Sequence, residues 1–161
     1  KVNDELPPEH FNKIEPGKHY GWPHCWGSAN NLKTMIEDPN FVGSENFCKD
    51  ATTPAITFTA HSTPIGVTFL DKTNFPAEYK NDAIVALHGS WNREKLSGYK
   101  LVRVKFNGEN PIEVVDFATG WLNKNEAWGR PVDVIAGPDG ALYVSDDRAD
   151  FIYRIHYKQA Q

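Results

Sequence analysis

The chain has 161 residues, 40% of them hydrophobic, with 17 basic against 21 acidic side chains and a net charge of −4. That length suits about one ordinary domain with a real core. An acidic balance without a basic stripe removes the electrostatic motive for nucleic-acid binding, and no apolar run approaches the ~18 residues of a membrane-spanning helix. The opening Lys1-Val2-Asn3-Asp4 carries neither a Met nor a signal-peptide pattern. The chain is therefore expected to be a processed or excised piece.

Residues 1–53 read as a loop-rich segment. After two prolines, Pro8 to Ile14 is expected to form a single short helix. His19 and His24 flank the turn Tyr20-Gly21-Trp22-Pro23 and read as packing residues. Cys25 and Cys48 bracket a stretch rich in Pro, Gly and Asn, with no C-x-x-C for zinc or redox work and no C-x-x-C-H for haem. Two readings stay open: a disulfide stapling a long loop, which implies an extracytoplasmic (periplasmic or secreted) location, or two unrelated thiols.

From residue 54 to 161 the pattern changes to short strands separated by turn chemistry. The predicted strands are 55–58, 65–70, 83–87, 100–106, 112–117, 132–136, 141–145 and 151–156. Val102, Val104 and Phe106 alternate with Arg103 and Lys105, the period of a half-buried strand. Asn107-Gly108 and Gly137-Pro138-Asp139-Gly140 each join two apolar runs and predict tight hairpins. His156 reads as solvent-facing, and Asp146, Asp147 and Asp150 as a solvated turn, since they lack the Gly and closing Glu of a calcium loop.

Regular four-strand groups predict an all-β chain, a β-propeller rather than a sandwich. At about four strands per blade, these make about two blades, too few to close a propeller. Either the chain is a fragment or several copies assemble, and the fragment is favoured.

The most informative run is His88-Gly89-Ser90-Trp91-Asn92-Arg93, which breaks the period of the strand before it. A buried turn has no use for four such polar or wide heads, each costly when unpaired. A binding loop does, because Arg offers a planar fork for carboxylates, Trp a stacking face, and His and Asn directional hydrogen bonds. The bland alternative is a solvated hairpin loop.

Four segments together carry a family resemblance. They are Asn12-Lys13-Ile14-Glu15-Pro16-Gly17-Lys18-His19-Tyr20-Gly21-Trp22-Pro23; His61-Ser62-Thr63-Pro64-Ile65-Gly66; Ala86-Leu87 running into His88–Arg93; and Gly129-Arg130-Pro131-Val132-Asp133-Val134 running on to Asp147 and Ile152–Ile155. In this order they resemble the glucose/sorbosone dehydrogenase family of soluble propeller quinoproteins, nearest its sorbosone-dehydrogenase-like branch, and match its C-terminal part. The resemblance implies about two blades of a six-bladed propeller with a long N-terminal loop segment. It also implies pyrroloquinoline quinone as cofactor, calcium with ligands mostly outside this chain, and hydride transfer from an aldose or related sugar aldehyde. The implied partners are the sugar, an electron acceptor (dye, quinone or cytochrome) and the remainder of the propeller.

The cofactor has three carboxylates and a flat ring, and needs basic forks, an aromatic wall and donors. The resemblance places His88, Trp91, Asn92, Arg93 and Arg130 there, with His61 at the pocket mouth. For Arg130 the alternative is a surface ion pair with Asp133 or Glu126, and for His61 a hydrogen-bonded loop histidine without a ligand. The family's glucose-oxidising members carry a further Arg where this chain has Val132. Where some members bind a structural calcium through Glu, this chain has His10, and imidazole is a poor calcium ligand. The family's catalytic His lies upstream of the matched region, so no catalytic residue is assigned. The competing functional readings are a non-catalytic propeller module binding carbohydrate or protein, and an exported scaffold held by its disulfide.

Overall fold

The computed structural model describes residues 3–28 and 30–158. The chain divides into two compact units, one ending at His61 and one beginning at Ser62.

The first unit contains β1 (Glu9–Phe11), β2 (Cys25–Gly27), β3 (Met35–Glu37), α1 (Glu45–Asp50) and β4 (Ile56–Phe58). β1 pairs antiparallel with β4, His10 opposite Thr57, and β2 pairs with β3, Trp26 opposite Ile36. The short helix expected from Pro8 to Ile14 is therefore corrected: its centre is β1. The cause is a long-range pairing that local propensity does not register, sealed by an edge-to-face contact of Phe11 and Phe58 with ring centroids 6.1 Å apart. The unit's helix is α1, which carries Cys48 on its buried side.

Cys48 is disulfide-bonded to Cys25 on β2, with the Cα atoms 5.7 Å apart and both residues 5% exposed. The disulfide reading of the two cysteines stands. Around it the Phe47 ring lies 4.2 Å from His19 and 4.9 Å from His24, centroid to centroid, so both histidines do pack as expected. The imidazole Nε2 of His10 accepts the backbone N–H of Gly27 at 2.9 Å, tying the β1–β4 pair to the β2–β3 hairpin. A side chain at Gly27 would collide with the Pro54 ring, which is why this strand closes on a glycine.

The second unit is a β-meander. β5 (Pro64–Phe69), β6 (Ala83–Leu87), β7 (Lys100–Asn107) and β8 (Asn110–Ala118) form a four-stranded antiparallel sheet in chain order. A small hairpin of β9 (Leu122–Asn123) and β10 (Glu126–Ala127) leads to a three-stranded sheet of β11 (Pro131–Ala136), β12 (Leu142–Asp146) and β13 (Phe151–Ile155), again in chain order. Each predicted strand is present within a residue or two of its expected ends. β6 is buried along its whole length, which explains its unbroken apolar run Ala-Ile-Val-Ala-Leu.

The two sheets pack face to face through Leu70, Ile84, Ala86, Leu101, Val134, Leu142 and Val144, all fully buried. Gly66 sets their approach: any Cβ there would run into the backbone of Asp133. Both tight hairpins form. Gly108 (φ +61°) sits between β7 and β8, and Gly140 (φ +74°) closes the β11–β12 turn, where the Gly137 N–H donates to Ala141 at 2.8 Å. Asn74 fastens that turn to the first sheet by donating to the Asp139 carbonyl at 2.9 Å. At the other end Asp82, 4% exposed, accepts from Arg103 Nε at 2.5 Å and from the Phe106 N–H at 2.8 Å, while the guanidinium stacks 3.8 Å over Tyr79.

Two expectations follow for the first unit. The native protein should resist thiol alkylation, and Cys25→Ser should lower its stability to urea by about 2–4 kcal/mol, the usual worth of such a bridge. Burial pushes the His10 imidazole below its ordinary value of 6.5. The folded state thus resists a proton that the unfolded chain accepts, so this stability is intact above pH 6.5 and is lost as pH falls from 6.5 through the lowered value. His10→Gln keeps an acceptor for Gly27, and should flatten stability below pH 6.5 relative to the parent in parallel urea titrations.

Candidate functional site

The loop that follows β6 is built as a rigid hook. Its first amides pair with the segment entering β5: His88 N–H donates to Thr63 at 2.9 Å and Gly89 N–H to Ser62 at 3.0 Å. The hook then closes on Ser90, which is fully buried. Ser90 N–H donates to the Ser97 carbonyl at 2.8 Å, and Ser97 N–H returns a bond to Ser90 Oγ at 2.9 Å. The Tyr99 hydroxyl donates to the Ser90 carbonyl from beneath. Gly89 adopts φ +109° with its Cα against the Tyr99 ring, so glycine is required for both backbone angle and space.

This closure pushes residues 91–95 outward. Trp91 is 82% exposed at the tip, a wide aromatic face held out in solvent. Asn92 and Arg93 are half-buried behind it, and Arg93 Nε donates to the Lys95 carbonyl at 3.1 Å.

Arg130, in the loop before β11, braces the hook from the neighbouring sheet. Its Nε donates to the His88 carbonyl at 3.3 Å and its Nη2 to the Gly89 carbonyl at 2.8 Å, with the guanidinium carbon 5.7 Å from the Tyr99 ring centre. One edge of the guanidinium therefore holds the loop, rather than Asp133 or Glu126. Nη1 has no acceptor among the described residues.

The Arg130 backbone is fixed by Asp146, 5% exposed at the end of β12. Asp146 Oδ1 accepts the N–H groups of Arg130 at 2.9 Å, Arg148 at 2.9 Å and Ala149 at 2.8 Å, while Oδ2 accepts the Tyr153 hydroxyl at 3.0 Å. Burial opposes the charge on this carboxyl. The three amides and the hydroxyl outweigh it and hold Asp146 below the usual carboxylate range. A Cβ at Gly129 would strike Oδ2, so the glycine before Arg130 is part of the same arrangement.

Asp146 thus departs from the solvated turn expected of it: an acidic side chain folded back to cap its own turn is common chemistry that composition alone does not separate from a hydrated one. Asp147, next in the chain, faces His88, with Oδ1 3.0 Å and Oδ2 3.1 Å from His88 Nε2. The structure brings His88, Arg130 and Asp147 together and puts Trp91, Asn92 and Arg93 on the same hook.

His61 belongs to the other unit. There it adopts φ +63°, and its Nε2 faces the carbonyl oxygens of Asn3 at 2.8 Å and Leu6 at 3.1 Å. Sequence reasoning gave no site role to Ser90, Tyr99 or Asp147. The available signal was the position of Asp147 immediately after a strand of the neighbouring sheet, where loops of both sheets meet.

A family model described as TrAA12-like matches residues 5–158. An uncharacterised protein of Borreliella burgdorferi is 33% identical over 163 residues, covering 98% of this chain and 41% of that protein. Among solved structures, the chain is similar to the calcium structure of the Trichoderma reesei carbohydrate-active enzyme of family AA12, at TM-score 0.77 and 21% identity over 96% of this chain and 44% of that one. It is also similar to the holo form of the pyranose dehydrogenase PQQ domain from Coprinopsis cinerea, at TM-score 0.71 and 24% identity over 94% of this chain and 44% of that one. The chain spans less than half the length of these relatives. Its antiparallel sheets, four-stranded and then three-stranded, are blades of a β-propeller, as the sequence pattern predicted. The resemblance to propeller quinoproteins holds, and the chain belongs to the TrAA12-like family.

Proposed function

We propose that this chain is the C-terminal part of a pyrroloquinoline-quinone-dependent dehydrogenase that oxidises aldoses or related sugar aldehydes. The observation that supports it most is the hook itself, which carries an 82% exposed Trp91 at its tip and is braced at His88 and Gly89 by a guanidinium with one edge unused. The donor set fits a flat, anionic ligand: Trp91 offers a stacking face, Arg130 Nη1 a charged donor, and Asn92 and Arg93 further polar heads on the same loop. His88 completes the set.

Arg130, Trp91, Asn92 and Arg93 would hold the quinone, which when bound would supply the hydride acceptor. Their work is to bind and orient. Arg130 keeps the hook in place through the His88 and Gly89 carbonyls, and the rigid closure at Ser90 limits the entropy lost when a ligand orders the loop.

Calcium is proposed for the whole protein, with ligands mostly outside this chain. Among the described residues no group of three or more His, Cys, Asp or Glu side chains could hold a metal. His10, which stands where some relatives carry a calcium-binding Glu, has its Nε2 committed to the Gly27 amide. The residues here do not fit that structural ion, and no role is assigned to it. The buried disulfide supports an extracytoplasmic setting, periplasmic or secreted. The remainder of the propeller and an external electron acceptor complete the proposed partners.

The reading is tested by calorimetric titration of the full-length protein with the quinone and calcium, followed by dye-reduction assays on aldoses and sorbosone. Binding and dye reduction are expected. Neither would leave the non-catalytic carbohydrate or protein module. Arg130→Ala should weaken quinone binding by roughly 1.5–3 kcal/mol, the range for a hydrogen bond to a charged group. Arg130→Lys should recover only part, because an ammonium cannot bridge two carbonyls and still offer a planar edge. Trp91→Ala should weaken binding with little change in its salt dependence.

A further inference from the structure

The polar contact between the two loops that sequence reasoning left without a role is His88–Asp147. The His88 side chain is 15% exposed and that of Asp147 57%, so the imidazole is largely enclosed and its carboxylate partner stands at the surface. Both carboxylate oxygens lie within hydrogen-bond reach of one ring nitrogen, Nε2, at 3.0 and 3.1 Å. A carboxylate can only accept, so Nε2 carries the proton. In the neutral ring Nδ1 is then a lone pair, and no described residue occupies it. The backbone of His88 is held at both ends, by the Thr63 carbonyl on its N–H and by Arg130 on its carbonyl. The ring cannot swap nitrogens without breaking a contact.

We propose that Asp147 is a positioning residue that locks His88 in the Nε2–H tautomer, so that the site presents Nδ1 as a hydrogen-bond acceptor. With the ring neutral, the ligand group His88 receives is an O–H or N–H donor, and not a carboxylate. Within the quinoprotein reading, on which this ligand assignment rests, two groups have that chemistry: a hydroxyl of the sugar and the pyrrole N–H of the cofactor. Carboxylates fall instead to Arg130 and Arg93, whose donors need no tautomer. Asp147 is the residue that separates these two kinds of recognition.

The test uses the full-length protein labelled with ¹⁵N at histidine, without cofactor, at about pH 8.5, where an ordinary imidazole is neutral. His88 is assigned by the signal lost in His88→Gln. The parent should show a protonated Nε2 and an unprotonated Nδ1. Asp147→Ala should give a mixture of tautomers, and Asp147→Glu should restore the parent pattern, a response that mere loss of folding would not produce. A parent ring protonated at Nδ1, or a tautomer unchanged in Asp147→Ala, overturns the positioning role.

Quinone titration and steady-state kinetics then identify the donor. Asp147→Ala is expected to cost about threefold to tenfold in one of them, the worth of one neutral hydrogen bond. A weaker quinone Kd assigns the pyrrole N–H, and a raised KM for aldose with unchanged Kd assigns the sugar hydroxyl. No change in either overturns the ligand assignment. A parent that binds no quinone ends the proposed function and the ligand assignment with it, while the tautomer measurement still decides the role of Asp147.

Discussion

The second unit turns on one buried carboxylate. Asp146 receives three backbone amides and a tyrosine hydroxyl, and through them fixes three things at once: the backbone of Arg130, the turn that carries Asp147, and the side chain of Tyr153 on β13. Hydrogen bonds to a charged group are worth about 1.5–3 kcal/mol each, though they do not simply add. Loss of the carboxylate would leave three part-buried amides without this acceptor, which is the more damaging half of the exchange. Since Arg130 in turn braces the hook at His88 and Gly89, the position of Trp91 traces back to a residue in the adjacent sheet.

This arrangement explains how a short loop can expose an aromatic ring and several polar heads yet remain ordered. The hook has a hard centre, Ser90 with its bonds to Ser97 and Tyr99, and glycines at Gly89 and Gly98 that allow two backbone segments to touch. Exposure at the tip is offset by closure at the base. The tip is therefore held by main-chain geometry, which is less sensitive to side-chain mobility than an arrangement built from long side chains alone.

The first unit solves a different problem. Its strands are short, Glu9–Phe11, Cys25–Gly27, Met35–Glu37 and Ile56–Phe58, and its apolar core is small. Such a segment needs staples. The Cys25–Cys48 bond fastens α1 to β2, the His10–Gly27 bond fastens one strand pair to the other, and a His19–Phe47–His24 stack covers part of its surface. None of these lies within one local run of sequence.

Apart from the two-residue strands β9 and β10, which the sequence did not announce, the strands from Ile56 to Ile155 were legible from local signals, among them alternation at Val102–Phe106, an unbroken apolar run at Ala83–Leu87, and the Gly-Pro-Asp-Gly and Asn-Gly turns. The exposed tip at Trp91 was legible because residue types such as those of the His88–Arg93 run are costly inside a core. What lay beyond the sequence were pairings across distance. Glu9–Phe11 reads as the start of a helix and becomes a strand only because Ile56–Phe58 lies beside it. Asp146 and Asp147 are adjacent and chemically identical, yet one is buried under amides and the other reaches His88. The sequence by itself determined the main strands of the second unit and the turns between them, properties of short-range sterics and hydrophobic period. Tertiary structure decided which edge of Arg130 is used, which nitrogen of His88 carries the proton, and which aspartate is structural, because each depends on an acceptor supplied by a different element of the fold.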